Sequence, residues 1–245
     1  MTALVTGAGG AIGTAVAARL AHDGHAVVAV DIDERAAADT CRWIREAGGT
    51  ALAIACDLRD DAQIAAAFAT AADAFGALDV LVNNAAVFPA GSFVDVSLAD
   101  LDDTISVNQR AYFLCAQHAT QAMMVARGGA IVNVASIVWH GGWADMSAYV
   151  TTKGAIVALT RALATELGQY EIRVNAVAPG AFPTAAERAQ HPDLGEYQAR
   201  ILESQALKRR GTLEELAAAI SFFAGPESSF ITGQTLNVDG GWIMS

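Results

Sequence analysis

The sequence predicts an α/β protein: a doubly wound parallel sheet of about seven strands with helices on both faces, forming one domain over residues 1–245. Three observations point there. Short β-branched or apolar runs alternate with alanine-rich stretches of helical length along most of the chain. Most of these runs are hydrophobic without period-two alternation, which is how strands covered on both faces read. Their one-for-one alternation with helices favours parallel pairing through crossover connections.

Taken in order, Ala3 to Thr6 is the first strand candidate, and Ile12 to Asp23 reads as a helix stopped near Gly24. Ala26 to Asp31 is the second strand, followed by a helix over Glu34 to Ala47 that ends at Gly48. Ala51 to Cys56 and the helix Asp60 to Phe75, closed by Gly76, repeat the unit. Leu78 to Asn83 and Ala130 to Ala135 supply the fourth and fifth strands, and residues 147 to 167 have the length of a long helix. Arg173 to Ala178, a helix over Leu213 to Ala224 before Gly225, and Gln234 to Val238 complete the series. Glycine just beyond a helix suits the left-handed conformation that many helix ends adopt.

Bulk properties narrow the function classes. A hydrophobic content of 53% in 245 residues is ample for one core, and no linker, charge block or repeat divides the chain. The net charge of -11 and pI near 4.7 argue against nucleic acid or an anionic membrane as partner, because both reward clustered Lys and Arg. Strand-like sequence from Thr2 leaves no room for a signal peptide, and no apolar run has bilayer length, so a cytoplasmic protein is expected. Cys41, Cys56 and Cys115 are far apart and read as reduced structural thiols; neither they nor the five histidines have metal-ligand spacing.

In doubly wound sheets, ligands bind beyond the carboxyl ends of the strands. The first such end carries Thr6-Gly7-Ala8-Gly9-Gly10-Ala11-Ile12-Gly13, directly before a helix. Its glycines permit a tight turn and let a pyrophosphate approach backbone N–H groups at the positive end of that helix. Asp31, with Ile32 beside it, ends the second strand eighteen residues after Gly13, near the spacing at which a carboxylate accepts from an adenosine ribose. No Arg or Lys stands in the turn or immediately after Asp31, so NAD(H) is expected in preference to NADP(H), with Arg35 the nearest cation. Asp31 also reads as a plain helix N-cap.

The chain has only two lysines, and one, Lys153, follows Tyr149 by four residues, with Ser136 thirteen residues before the tyrosine. Within a helix that spacing puts phenol and ammonium on one face. A free phenol titrates near 10, and a unit charge at roughly 4 Å and an effective dielectric near 20 is worth about 4 kcal/mol, enough to lower it by up to ~3 units. The pair alone reads equally well as an inert exposed helix pair.

Together these residues resemble the short-chain dehydrogenase/reductase family, which has a Rossmann-type fold, over nearly the whole chain. The agreement comprises the turn from Thr6 to Gly13, Asp57, Asn83-Asn84-Ala85-Ala86, Asn108, Ser136, Tyr149 with Lys153, Pro179-Gly180 with Thr184, and the ending Ile231-Thr232-Gly233-Gln234 to Asp239-Gly240-Gly241. Ala11 and Ala86 depart from it, each standing where the family has glycine. The resemblance implies hydride transfer to or from a nicotinamide cofactor, with Tyr149 as general acid/base. It implies that Lys153 holds the nicotinamide ribose and lowers the tyrosine pKa, that Ser136 bonds the substrate oxygen, and that Asn108 holds a water linking Lys153 to solvent. It further implies Asp57 and Leu58 at the adenine, Asn83 to Ala85 along the nucleotide, Pro179, Gly180, Phe182 and Thr184 over the nicotinamide, and a last strand that contributes to a homotetramer, or a homodimer.

The substrate expected is a small molecule, a cyclic or aromatic secondary alcohol or ketone, because the variable stretches are rich in aromatics. These place Phe88, Val138, Trp139, His140, Trp143, Met146 and Tyr197 around a pocket, with residues 181–208 as a lid suggested by Gly180, Pro183, Pro192 and Gly195. The helix text from Ala158 to Gly168 is similar to that of alcohol dehydrogenases of the 1-phenylethanol or pyridoxal type. Three other readings compete. One is an NADPH-preferring 3-oxoacyl-[acyl-carrier-protein] reductase that would dock an acidic carrier on Arg127 and Arg173. The others are a cofactor-free halohydrin dehalogenase, in which Arg replaces the lysine, and a non-catalytic nucleotide sensor.

Overall fold

The computed structural model describes residues 1–190 and 193–244. Its seven strands are β1 (Thr2–Thr6), β2 (Ala26–Asp31), β3 (Ala51–Ala55), β4 (Val80–Asn83), β5 (Gly129–Val134), β6 (Ile172–Pro179) and β7 (Thr235–Val238). They form one sheet in the order β3-β2-β1-β4-β5-β6-β7, every pair parallel. This is the predicted architecture, with strand ends displaced by one or two residues.

Burial on both faces follows from strand geometry. Successive side chains point to opposite sides, so Ala3 and Val5 of β1 enter one core while Leu4 enters the other. The first core packs against α1 (Ala11–His22), α2 (Glu34–Glu46) and α9 (Leu213–Ala224) through Val16, Leu20, Ile44, Leu216 and Ile220. The second packs against α3 (Asp61–Phe75), α5 (Ala111–Ala126) and α6 (Ser147–Leu167) through Ile64, Cys115, Met123 and Leu167. Central residues such as Leu81 and Ile131 have no exposed surface, and burying each contributes about 1.5–3 kcal/mol. All three cysteines are free and buried. Among the described residues there is no cluster of metal-ligating side chains and no helix long and apolar enough to cross a membrane.

Four helices were not legible in the sequence. Helix α4 (Leu98–Ile105) passes through a π-helical turn at Ser106–Arg110 into α5, whose small and apolar residues are spread around its circumference without a clear period. The stretch 181–208 contains α7 (Ala185–Gln190) and α8 (Leu194–Ser204). Pro192, one of the residues behind the lid expectation, lies outside the described residues.

The order β2-β1-β4 makes the carboxyl ends of β1 and β4 the point where the winding reverses, and the crevice opens there. Arg173 serves a different purpose from the carrier-docking one considered for it. Its guanidinium donates to the carbonyls of Phe223, Ala224 and Gly225 and to Ser228 Oγ at 2.6–3.3 Å, closing the C-terminus of α9. Arg173→Met leaves those carbonyls without donors and is expected to lower the unfolding free energy by about 2–4 kcal/mol, read as a shifted urea midpoint at constant slope.

Candidate active site

A cleft of about 1160 Å³ runs along the carboxyl ends of the strands, from Asp31 and Asp57 at one end to Tyr197 and Trp242 at the other. At the first end, the glycine-rich turn forms a cradle that side chains would fill. Gly7 has φ +65°, and a Cβ there would lie 2.8 Å from Ala85 Cα; one on Gly13 would lie 2.0 Å from Gly7 O. Helix α1 begins at Gly10 with no side-chain cap, whereas α2, α3, α4, α8 and α9 are capped by Asp33, Asp60, Ser97, Asp193 and Thr212. The N–H groups of its first turn and the positive end of its dipole therefore face the cleft, as an anion site requires. Ala11 and Ile12 line the same wall, so the alanine at position 11 is accommodated there.

Asp31 ties this cradle to β2. Its Oδ2 accepts from Gly9 N at 2.8 Å and its Oδ1 from Asp33 N at 3.0 Å, with the carboxylate still lining the cleft. Asp33, not Asp31, is the N-cap of α2. Ile32, Asp57 and Leu58 line the adjoining wall. Arg59, overlooked in the sequence, joins them, but its guanidinium is engaged by Asp57 at 2.8 Å and Asp103 at 3.0 Å. That hydrogen bond holds the Asp57 carboxyl below the usual carboxylate range. Arg35 does not line the cleft.

Of the stretch Asn83 to Ala85 expected along the cleft, Asn84 and Ala85 line it and Asn83 does not. Asn84 lines the cleft and donates to the carbonyls of Thr6 and Gly7, stitching β4 to the turn. Asn83, on the opposite side of the strand, is buried and bonds Asn133 Oδ1 at 3.0 Å, so it does not reach a nucleotide. Alternation along the strand allows only one of the pair to face the cleft. Ala85 and Ala86 follow Asn84 along the cleft.

At the centre, Ser136, two residues beyond β5, and Tyr149 and Lys153 on α6 come to one place. Ser136 Oγ accepts from Val138 N at 3.4 Å and hydrogen-bonds the Tyr149 phenol. Burial pushes that phenol up to about 12, the Ser136 bond acting in the opposite direction. Lys153 is only 1% exposed and burial pushes its ammonium down to about 7. It donates to Val134 O at 2.7 Å and Tyr112 OH at 3.4 Å, and lies 5.5 Å from the centre of the Tyr149 ring. In the protein alone, then, burial leaves the phenol raised and not lowered. Asn108 sits in the π-turn, fully buried, with its amide closed on the backbone N–H and carbonyl of Val87 at 2.8 and 2.7 Å and donating to Thr152 Oγ1, next to Lys153 in the chain, at 3.3 Å.

Beyond the tyrosine the cleft is walled by Phe88, whose ring lies 5.8 Å from that of Tyr149, by Val138, Trp143 and Met146, and by Tyr197 on α8. Trp139 and His140 turn away: Trp139 packs under Arg161 at 5.7 Å, and His140 Nε2 bonds Asn237 Oδ1 at 3.1 Å. The short 3-10 helix Ile137–His140 points Val138 inward and carries its last two residues to the far side. Trp242, which the sequence did not single out, replaces them, stacked edge-on at 5.3 Å against Trp143. Asp239 carries it there by accepting from Gly241 N and Ile243 N, and Gly180 lets the two segments touch, since a Cβ would meet Asp239 Cβ at 2.8 Å. Pro179, Gly180, Phe182 and Thr184 line the floor below α7, with Phe182 also packed into the core. On α8, Tyr197, Arg200, Ile201 and Ser204 share the face toward the cleft, a helical spacing. Burial and the neighbouring Glu187 push the Tyr197 phenol up to about 12, and Glu187 is itself paired with Arg210 at 2.5 Å.

Comparison with known proteins agrees with this geometry. A family model described as enoyl-(acyl carrier protein) reductase matches residues 7–243. The short-chain reductase protein NovJ of Streptomyces niveus is 40% identical over 98% of this chain and 92% of its own. Cis-4-hydroxycyclohexanecarboxylate dehydrogenase of Sinomonas cyclohexanicum is 39% identical over 98% and 95%. The crystal structure of a gluconate 5-dehydrogenase from Burkholderia cenocepacia J2315 in complex with NADP and tartrate superposes with a TM-score of 0.93 at 33% identity, covering 98% of this chain and 94% of that one. With its sheet order, its glycine cradle and its serine, tyrosine and lysine at one point of the cleft, the chain belongs to the short-chain dehydrogenase/reductase family, whose members are nicotinamide-dependent oxidoreductases acting on CH–OH groups.

Proposed function

We propose that the protein interconverts a cyclic or aromatic secondary alcohol and its ketone with NAD(H). The observation that carries this reading is the convergence of Ser136, Tyr149 and Lys153 in a cleft whose far end is the uncapped start of α1 beside Asp31. When bound, the nicotinamide cofactor supplies hydride acceptance or donation. Everything else falls to the chain. The N–H groups of Gly10 to Gly13 hold the pyrophosphate, and Asp31 and Ile32 hold the adenosine ribose. Asp57 and Leu58 border the adenine, Asn84 and Ala85 line the middle, and Pro179 to Thr184 cover the nicotinamide end. Ser136 orients the substrate oxygen and stabilises charge developing on it. Tyr149, its phenol protonated at neutral pH, delivers a proton to a ketone oxygen or takes one from an alcohol, and Lys153 supplies the compensating charge. Asn108, through Val87, shapes the wall that carries Phe88.

Asp31 and Asp33 support NAD(H) over NADP(H). A 2′-phosphate would lie beside carboxylates with no unengaged cation at that wall among the described residues. At about 5 Å and an effective dielectric near 20, each unit of like charge costs on the order of 3 kcal/mol, about two orders of magnitude in affinity. Solved relatives hold NADP in one case and NAD in another, so the preference proposed here is read from the residues ending β2 and not from the family.

The aromatic wall supports a ring-bearing substrate, and Arg200 adds a charge preference. It shares its helix face with Tyr197, stacks over that ring at 5.8 Å, and has no carboxylate partner among the described residues, whereas Arg209 and Arg210 beside it are both paired. A ring alcohol carrying a carboxylate fits this pairing of surfaces, in keeping with the name of the Sinomonas relative. The stretch 181–208, with α7 and α8, we read as the cover over that substrate. Exposed Phe230 and Leu236, together with a groove lined by Ile105, Phe113 and Leu159, support a homotetramer.

Tyr149→Phe is expected to lower turnover at least ~1000-fold while leaving the Kd for NADH, read by fluorescence, within a few-fold; wild-type turnover in this variant would refute the proton assignment. Gly13→Ala, whose new Cβ collides with Gly7 O, is expected to abolish NADH binding in the same titration. Arg200→Ala is expected to raise KM about tenfold for ring alcohols bearing a carboxylate and to leave uncharged analogues unaffected, a split that steady-state kinetics on paired substrates resolves.

A further inference from the structure

We infer that Tyr112 is a positioning residue for Lys153, its buried hydroxyl anchoring the ammonium that the proposed reaction requires. The inference rests on that functional reading for its consequence, although its geometry stands apart from it.

Tyr112 is the second residue of α5, directly after the π-turn. A π-turn adds one residue, which rotates every later side chain by roughly 100° relative to an uninterrupted α-helix. The side chain so directed is among the largest in the molecule and only 1% exposed. Its hydroxyl donates to Val134 O at 3.2 Å, leaving its lone pairs to accept from Lys153 Nζ at 3.4 Å, while Lys153 also donates to Val134 O at 2.7 Å. Lysine, tyrosine and carbonyl thus close a triangle. The ammonium lies between two rings, 5.2 Å from the centre of Tyr112 and 5.5 Å from that of Tyr149. With two of its three N–H groups so used, the third remains for the cleft, which Lys153 lines.

The backbone of Tyr112 is held as well. Asn83 Nδ2 contacts its carbonyl at 3.4 Å and bonds Asn133 Oδ1 at 3.0 Å, and Asn133 Nδ2 reaches Thr160 Oγ1 at 3.0 Å. This chain of buried amides joins β4, β5, α5 and α6 around the lysine, and it gives Asn83 a purpose that the nucleotide does not supply. The groups facing Lys153 are few: Tyr112 from α5, Tyr149 from its own helix and the Val134 carbonyl from β5, with no carboxylate among the described residues. Burial keeps Tyr112 neutral at all ordinary pH, and its further neighbour Cys115 is likewise raised by burial. The phenol therefore offers acceptor capacity without a charge of its own. Acceptors favour the charged form of a buried amine, so removing this one lowers the pH at which Lys153 loses its proton.

The test is Tyr112→Phe, which keeps the ring and deletes the hydroxyl. Because the chain has only two lysines, Lys153 and Lys208, a protein labelled with 13C-lysine gives two side-chain signals whose titration needs no substrate. The Lys153 midpoint is expected to fall by about 0.5–1 pH unit in the variant, with Lys208 unmoved. In turnover, the alkaline limb of the kcat profile is expected to move down by the same amount, so that kcat at pH 8 falls about three- to tenfold with KM for NAD unchanged. Tyr112→Met, which fills similar volume without a hydroxyl, is expected to shift Lys153 in the same direction and serves if the phenylalanine variant fails to fold. An unchanged Lys153 midpoint in the folded variant overturns the inference, as does a uniform loss of kcat at every pH. Absence of turnover in the wild type across an alcohol and ketone panel would instead overturn the functional reading, the lysine titration still deciding the role of Tyr112.

Discussion

The site depends on keeping one ammonium ion inside the protein. Lys153 has almost no contact with solvent, and a buried charge is tolerated only where acceptors replace its water. The replacements come from three elements: the Val134 carbonyl at the end of β5, the Tyr112 hydroxyl at the start of α5, and two aromatic faces, one of them on Lys153's own helix. Each is available only because the sheet ends there. A carbonyl within a sheet is taken by its neighbouring strand, whereas the last carbonyl of β5, past its pairing with β4, can turn to a side chain. The π-turn then supplies the rotation that brings Tyr112 to the same point. Ser136 follows β5 by two residues, so the Val134 carbonyl that holds the ammonium and the serine proposed to meet a substrate oxygen are set by one strand end.

The opposite end of the cleft solves the complementary problem, an anion in an acidic protein. With a net charge of -11, the chain cannot attract a dinucleotide by its overall field. It uses a local field instead: the uncapped N-terminus of α1, reached through glycines that leave the backbone bare. Asp31 is placed so that its negative charge sits beside this field and not in it, one oxygen holding Gly9 N. That bond makes the residue proposed to hold the ribose also a strut for the turn proposed to take the pyrophosphate.

How much of this was legible in the sequence varies by element. Strands that lie wholly inside the sheet were readable because burial on both faces leaves no polar residue to break the run, as in Val27 to Val30. Helix α6 was readable end to end, and with it the coincidence of Tyr149 and Lys153 on one face. Helices α4, α5, α7 and α8 were not, because α5 is apolar on most sides and α8 exposes most of its length. Among site residues, the glycine turn, Asp31, Ser136, Tyr149 and Lys153 lie where local spacing put them. Asn83 was misassigned because which of two neighbouring strand residues faces the cleft depends on one residue of register, and Trp139 and His140 because a short 3-10 turn carries both away from it.

The sequence by itself determined the layered sheet, its order of strand and helix, and the residue types at the strand ends, since these follow from hydrophobic periodicity and from glycine's backbone freedom. The tertiary structure decided what no spacing contains. It brought Trp242 from the C-terminus to the mouth of the cleft, set Asn108 against Val87, engaged Arg59 with Asp57 and Asp103, and closed Tyr112 on Lys153, forty-one residues away. The physical reason is the same in each case. A buried polar group takes whichever partner the packed fold leaves within hydrogen-bond reach, and that partner is set by the winding of the sheet, not by proximity along the chain.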